Sequence, residues 1–233
     1  MRPPLTVAVA QPACVAGDVA ANAAAHAGAV RAAGARLVAF PELSLTGYEL
    51  GADAVSPDDP ALVPLVEACA ATGSVALAGA PVVEGGRAWI AALRVDGAGV
   101  AVVYRKTFLG DVEALRFAPG PGPVAVDVDG WRVGIGICKD TGVDAHVTGT
   151  AALGVDLYVA GLVHRAEELA VQDARGARIA RTCRAHVAFA SFAGATGGGY
   201  DVTAGTSTIR SPDGDPVARA GPEPGGIARA TIT

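Results

Sequence analysis

Val133-Gly134-Ile135-Gly136-Ile137-Cys138-Lys139-Asp140-Thr141-Gly142 is an apolar run that stops at a cysteine and turns abruptly to charge. Residues 133–137 are β-branched with interleaved glycines, the composition of a buried strand against which neighbouring backbone packs closely. Cys138 then falls at the strand exit. Asp140-Thr141-Gly142 reads as a turn presenting free backbone N–H groups beside the thiol, which is where an α/β enzyme sets a nucleophile and an oxyanion hole. Taken alone, the plainer reading of a cysteine at a strand end is a buried structural thiol, because free Cys is among the most buried residue types. The rest of the chain decides between the two.

Upstream, Asp129-Gly130 is a tight-turn signal that joins a strand over 124–128 to the one ending at Cys138. Asp96-Gly97 does the same for strands over 88–95 and 100–105, the second of which runs into Lys106. A short apolar run over 35–40 ends at Pro41-Glu42. There a proline and Leu43 hold a carboxylate against apolar surroundings, which should raise its pKa and suit it to act as a base near neutrality. The competing reading of Glu42 is an ordinary helix-capping or solvated turn acid. Three strand exits thus carry a carboxylate, an amine and a thiol.

The remaining pattern alternates strand and helix. Strands are expected over 5–10, 74–80, 156–160 and 187–192, and helices over 18–33, 60–72, 144–153 and 166–186, with Gly176 a break point in the last. Residues 107–122 read as a surface loop with one helical turn near 112–117, and short strands over 204–211, 216–220 and 227–232 close the chain. Gly194-Ala195-Thr196-Gly197-Gly198-Gly199 lacks the Gly-Lys-Ser/Thr ending and the following helix of a phosphate cradle. No internal repeat or linker is visible, so residues 1–233 read as one domain.

With 233 residues, 51% of them hydrophobic, the chain can bury a sizeable core. No apolar run approaches the roughly 20 residues of a membrane span. The N-terminal run breaks at Gln11-Pro12 before a signal-peptide core could form, and a cytoplasmic location is expected. The net charge of −5 offers nothing to nucleic acid or anionic membrane. Cys14, Cys69, Cys138 and Cys183 are dispersed without metal-ligand spacing, so free thiols and no metal are expected. Of 18 Lys plus Arg, only Lys106 and Lys139 are lysine. A chain that otherwise uses arginine keeps a compact ammonium at one strand exit and beside Cys138.

At these residues the chain resembles the nitrilase, or carbon-nitrogen hydrolase, superfamily. The resemblance runs through Ala10-Gln11-Pro12, Phe40-Pro41-Glu42-Leu43-Ser44-Leu45-Thr46-Gly47-Tyr48, Tyr104-Arg105-Lys106-Thr107-Phe108-Leu109 and Gly134-Ile135-Gly136-Ile137-Cys138. Weaker landmarks follow at Arg178-Ile179-Ala180-Arg181 and from Gly205-Thr206-Ser207-Thr208-Ile209 to Pro212-Asp213-Gly214. It implies an α/β fold, a four-layer αββα sandwich, commonly paired into a homodimer, and a Glu-Lys-Cys triad with no cofactor. Carried over by position, Glu42 is the general base, Lys106 the oxyanion stabiliser and Cys138 the nucleophile. Glu113 orients Lys106, and the Lys139 backbone N–H shares the oxyanion role. Substrate contacts are expected at Tyr48, Thr141 and Leu162.

The implied reaction is hydrolysis of a small amide through a thioester. Nitrile hydrolysis, N-carbamoyl hydrolysis, acyl transfer or a non-catalytic binding role are the alternatives. Lys139-Asp140 replaces the Trp-Glu that follows the cysteine in nitrilases proper, which favours the amidase-like branches. The family's Arg-x-x-Pro-Glu segment is absent at Thr141-Gly142-Val143-Asp144, and Gly161-Leu162-Val163-His164 replaces a proline-tryptophan region. His164 and His186 are weighed as substrate contacts, with a satisfied structural histidine the plainer reading of each.

Overall fold

The computed structural model describes residues 2–233. The first half of the chain forms β1 (Leu5–Gln11), α1 (Val19–Ala33), β2 (Leu37–Ala39), α2 (Val63–Thr72), β3 (Val75–Glu84), β4 (Arg87–Asp96) and β5 (Gly99–Arg105). The second forms β6 (Val124–Val128), β7 (Trp131–Ile137), α3 (Asp144–Ala152), β8 (Leu157–Leu162), α4 (Leu169–Cys183) and β9 (His186–Ser191). Five further strands complete it: β10 (Ala193–Gly194), β11 (Thr203–Ala204), β12 (Thr208–Arg210), β13 (Pro216–Arg219) and β14 (Gly226–Ile232).

Two six-stranded sheets result, with orders β14-β1-β2-β3-β4-β5 and β13-β12-β9-β8-β7-β6. In each, three parallel strands joined by helical crossovers are flanked by antiparallel ones. One β-α-β-α-β plan is therefore used twice, although the sequence shows no repeat.

Residue alternation along the strands sorts the side chains into layers. Leu157 and Val159 of β8 join Val7, Leu37, Leu77, Val133 and Ile135 in the core between the sheets. Tyr158 and Ala160 face the other way and pack under Val147 of α3 and Ile179 and Ala180 of α4. On the first sheet, Ala8, Val38 and Ala76 meet Ala23, Ala27 and Val30 of α1 and Leu65 and Ala68 of α2. The architecture is the αββα sandwich. No helix among the described residues is long and apolar enough to cross a membrane.

Local chemistry explains the connections. Asp129 (φ 53°) and Gly130 (φ 82°) form the two-residue turn whose twist suits a hairpin. The Asp18 side chain accepts from Ala21 N–H and caps α1, which ends at left-handed Gly34. Gln11 braces the two sheets: its amide donates to the Gly221 and Glu223 carbonyls, and its oxygen accepts from Ser207 N–H.

Two expectations are corrected. β3 does not stop at Ala80 but continues through Pro81, paired with Ile90, to Glu84. β2 pairs with β3 only as far as Leu77, so the later part has a partner on one side and tolerates a proline. Gly176 does not break α4. A Cβ there would lie 2.9 Å from Arg210 Nε and 3.2 Å from the Phe189 ring, so the glycine lets helix and sheet approach.

Candidate active site

Glu42 is held by backbone packing from both sheets. A Cβ on Gly79 of β3 would sit 2.7 Å from Pro41 O, and one on Gly161 of β8 would sit 2.7 Å from Glu42 N. The Pro41-Glu42 peptide therefore lies between two glycines, and Leu43 turns the chain away with φ 51°. Behind it, Gly79 N–H donates to Ser44 Oγ, and Ser44 contacts His26 Nε2 at 2.8 Å. His26 Nδ1–H donates to the Asn22 carbonyl, which leaves Nε2 to accept from Ser44. Burial keeps His26 neutral, down to about 4.

Lys106 leaves β5 into a loop whose ends meet, with Gly120 N–H donating to the Lys106 carbonyl at 2.7 Å. The 3-10 turn Glu113–Leu115 folds Glu113 back onto the lysine. Lys106 Nζ lies 2.6 Å from Glu42 Oε1 and 2.7 Å from Glu113 Oε1, and all three side chains are buried. Glu113 also accepts from Tyr48 OH at 2.6 Å and from Gly110 N–H at 2.6 Å. Glu42 Oε2 is buried without a hydrogen-bond partner.

Cys138 opens the 3-10 segment Cys138–Gly142 with φ 38°, a strained value for a residue with a side chain. Its half-buried thiol donates to Val163 O at 3.4 Å. The first N–H groups of such a segment, including that of Lys139, have no acceptor within it.

Asp140 ties the Cys138 exit to the Lys106 exit. Its carboxyl oxygens accept from Ile137 N–H at 2.9 Å, Phe108 N–H at 2.8 Å and Tyr104 OH at 2.7 Å. Tyr104 O in turn contacts His146 Nε2 at 2.9 Å, and His146 Nδ1 contacts Tyr158 OH at 3.2 Å. Gly136 leaves room for this, because a Cβ there would meet the Tyr158 ring carbon at 2.9 Å.

The environment separates the two glutamates. Burial pushes Glu42 up to about 7, with Lys106 opposing the rise and Glu113 adding to it. Burial acts on Glu113 the same way but is outweighed by Lys106 and the bonds from Lys106, Tyr48 and Gly110, so its pKa is lowered. Burial disfavours charge on Lys106 too, yet the surrounding Glu42, Cys138 and Glu113 raise its pKa and keep it an ammonium. The Cys138 thiol is pushed up to about 12 by burial and by Glu42, against the pull of Lys106. Burial thus favours the neutral thiol over the thiolate at rest.

The other expected contacts divide. Tyr48 is half-buried beside the cluster, and Lys139 reaches from the cysteine turn to donate to Leu109 O at 2.6 Å. Thr141 and Leu162 are turned elsewhere. Thr141 is fully buried with its hydroxyl bonded to Cys138 O at 2.6 Å, and Leu162 packs in the layer between the second sheet and its helices. Thr141 thus supports the cysteine turn, and Leu162 the helix layer. His164 is buried between Gln172 and Arg175, and His186 opens β9 at the end of the sheet remote from the strand exits. Sequence reasoning missed Val163, Asp140, Gly79 and Gly161. Of these only the glycines had a signal, as isolated glycines within apolar strand patterns.

An αββα sandwich with a buried carboxylate-ammonium-carboxylate cluster beside a strained cysteine has the groups for acyl transfer from nitrogen. The carbon-nitrogen hydrolase family model matches residues 6–233, and the chain belongs to that family. A Pseudomonas protegens protein described as "Hydrolase in pqqF 5'region" is 30% identical over 217 residues, covering 88% of this chain and 74% of its own length. A Pseudomonas (R)-stereoselective amidase is 31% identical over 127 residues, covering 53% of this chain and 46% of its own length. A mutant of the amidase from Nesterenkonia sp. AN1 superposes with a TM-score of 0.85 at 25% identity, over 98% of this chain and 93% of that one; it carries acrylamide added at its active-site cysteine. A CN-hydrolase superfamily protein from Xanthomonas campestris shares the fold at 18% identity and TM-score 0.85, over 99% of this chain and 91% of that one.

Proposed function

We propose that this protein is an amidase that hydrolyses small amides through a thioester on Cys138, with Glu42 as general base. One observation carries the reading: Glu42 Oε2 is a buried acceptor with no partner, on a carboxyl group tuned to about 7. A buried oxygen left unpaired is costly, and a proton to be accepted accounts for it. Amide substrates are favoured by the neighbours, an acrylamide-modified amidase and a stereoselective amidase.

In the forward step the Cys138 proton passes to Glu42 as sulfur bonds to the amide carbon. The carbonyl oxygen takes the electron pair. Lys106 has three N–H donors and spends two on Glu42 and Glu113, so the third is free for that oxygen, shared with the Lys139 backbone N–H. Collapse breaks the carbon-nitrogen bond, and Glu42 returns the proton to the leaving nitrogen. Water then attacks the thioester, gives a proton to Glu42 and releases the carboxylic acid, with the proton returning to sulfur. Glu113, held by Tyr48 and Gly110, fixes the position of Lys106.

The test is ammonia release from a panel of primary amides, nitriles and N-carbamoyl compounds. Release from amides that disappears in a folded Cys138→Ala variant is expected. Turnover retained in that variant removes Cys138 from the mechanism, and release only from nitriles or carbamoyl compounds replaces the amidase reading. The homodimer implied by the family belongs to the same proposal, and sedimentation as a monomer at micromolar concentration would remove it.

A further inference from the structure

The glycine-rich segment that fails as a phosphate cradle is docked against the site. β10 and β11 pair as a short hairpin, and the chain between them lies on the Tyr48-Glu49 segment. Tyr48 N–H donates to Thr196 O at 2.8 Å, and Gly198 N–H donates to Glu49 Oε1 at 2.9 Å. Gly197, Gly198 and Gly199 all have positive φ, and a Cβ on Gly198 would collide with Tyr48 O. Glycine is therefore needed here for close docking. Tyr200 ends this turn, its N–H donating to Gly197 O and its carbonyl accepting from Thr196 N–H, both at 3.0 Å.

The Tyr200 ring contacts two side chains that lead back to the site. Tyr48 meets it edge-on, with centroids 5.0 Å apart, and Tyr48 is itself bonded to Glu113 of the Lys106 cluster. The Arg165 guanidinium lies 4.6 Å from the Tyr200 ring centroid. Arg165 stands two residues after Val163, whose carbonyl accepts the Cys138 thiol. The Tyr200 hydroxyl has no hydrogen-bond partner among the described residues, so the ring is placed by its faces and edges. Burial, and after it charge on Cys138, holds the Tyr200 pKa above its ordinary value.

We propose that Tyr200 is a specificity-determining residue, a fixed aromatic bar between the Lys106 side and the Cys138 side of the cleft that limits the acyl group to short chains. This rests on the amidase reading and names the substrate class within it: short-chain primary amides. Tyr48 supplies the second ring of the wall. Because the segment is docked by backbone hydrogen bonds, the bar is part of the resting pocket and does not wait on substrate to close.

Two measurements on wild type, Tyr200→Phe and Tyr200→Ala test this, with thermal melts confirming that each variant is folded. The first is kcat/KM over acetamide, propionamide, butyramide, hexanamide and benzamide. Tyr200→Ala should raise the hexanamide-to-propionamide ratio by about tenfold or more, the range a hydrophobic wall controls, while Tyr200→Phe keeps the wild-type ratio. The second is the rate of alkylation at Cys138, read on its peptide by mass spectrometry, with iodoacetamide against its N-benzyl analogue. The bulky-to-small ratio should rise in Tyr200→Ala and not in Tyr200→Phe. Unchanged ratios in Tyr200→Ala overturn the proposal. If wild type hydrolyses no amide the amidase reading falls by itself, and the alkylation ratio still decides the role of Tyr200.

Discussion

Glu42 and Glu113 each place one carboxyl oxygen on the same ammonium, Lys106 Nζ, at 2.6 and 2.7 Å, but only Glu113 receives further hydrogen bonds. That asymmetry separates their proposed roles. A carboxylate with three donors is stabilised as an anion, whereas one with a single donor and a bare second oxygen keeps a pKa near neutrality.

The first consequence is the pH dependence of the rate. Glu42 accepts a proton only when ionised, so kcat/KM should rise with pH through about 7 and then level, since Cys138 remains a thiol up to about 12. A rate profile for the best amide checks this. A rate that is flat across neutrality, or falls there with rising pH, contradicts the assignment of Glu42 as base.

The same group acts on stability with a fixed sign. A carboxyl raised from 4.5 to about 7 on folding contributes stability that is present below 4.5 and lost as pH rises through 7. Glu42→Gln has no such loss. Its urea-unfolding free energy relative to wild type should therefore grow from acid to mildly alkaline pH, by roughly 3 kcal/mol in total. A gap that does not change with pH would mean that Glu42 is not protonated in the folded protein near neutrality.

Lys106→Arg keeps the charge and changes the shape. The ammonium is only 1% exposed between two carboxylates, and a planar guanidinium cannot satisfy both and still point one N–H at a substrate oxygen. We expect kcat to fall by at least about 100-fold, with the protein still folded. Near-normal turnover would contradict the oxyanion role.

Gly161→Ala tests the glycine clamp. Its new Cβ would lie 2.7 Å from Glu42 N, with Gly79 closing the other side, so Glu42 must shift. Loss of about 1–3 kcal/mol in urea unfolding and of most amide hydrolysis is expected. Gly28→Ala, on exposed helix where a Cβ meets nothing within 4 Å, should instead add roughly 0.5–1 kcal/mol. Equal effects of the two would leave the clamp without support.

Much of this was legible in the chain because the informative signals are local. Asp129-Gly130 and Asp96-Gly97 announce their hairpins, and the apolar runs ending at Glu42, Lys106 and Cys138 mark three strand exits. The close approach of Glu42 and Lys106 joins the exits of β2 and β5, which lie in one sheet with β3 and β4 between them, and no run of residues displays it. Asp140 illustrates the limit. Its partners Phe108, Tyr104 and Ile137 have no periodic relation to it, so its part in joining two exits appears only in the folded chain. Pro81 shows the converse, where the sequence reading ends β3 too early, because β2 no longer pairs beyond Leu77 and a proline costs no ladder bond on that side. The glycine-rich turn before Tyr200 was compared with a phosphate loop, whereas its glycines serve close docking on Tyr48 and Glu49.

At the centre of the proposed mechanism is a sulfur that attacks carbon while a neighbouring carboxylate takes its proton. Rapid-quench mass spectrometry of the Cys138 peptide during turnover of a primary amide reads that event directly. An added acyl mass on Cys138, formed as ammonia appears and missing in Glu42→Gln, is the predicted result. Ammonia released with Cys138 unmodified throughout, or an acyl mass accumulating as fast in Glu42→Gln as in wild type, would contradict it.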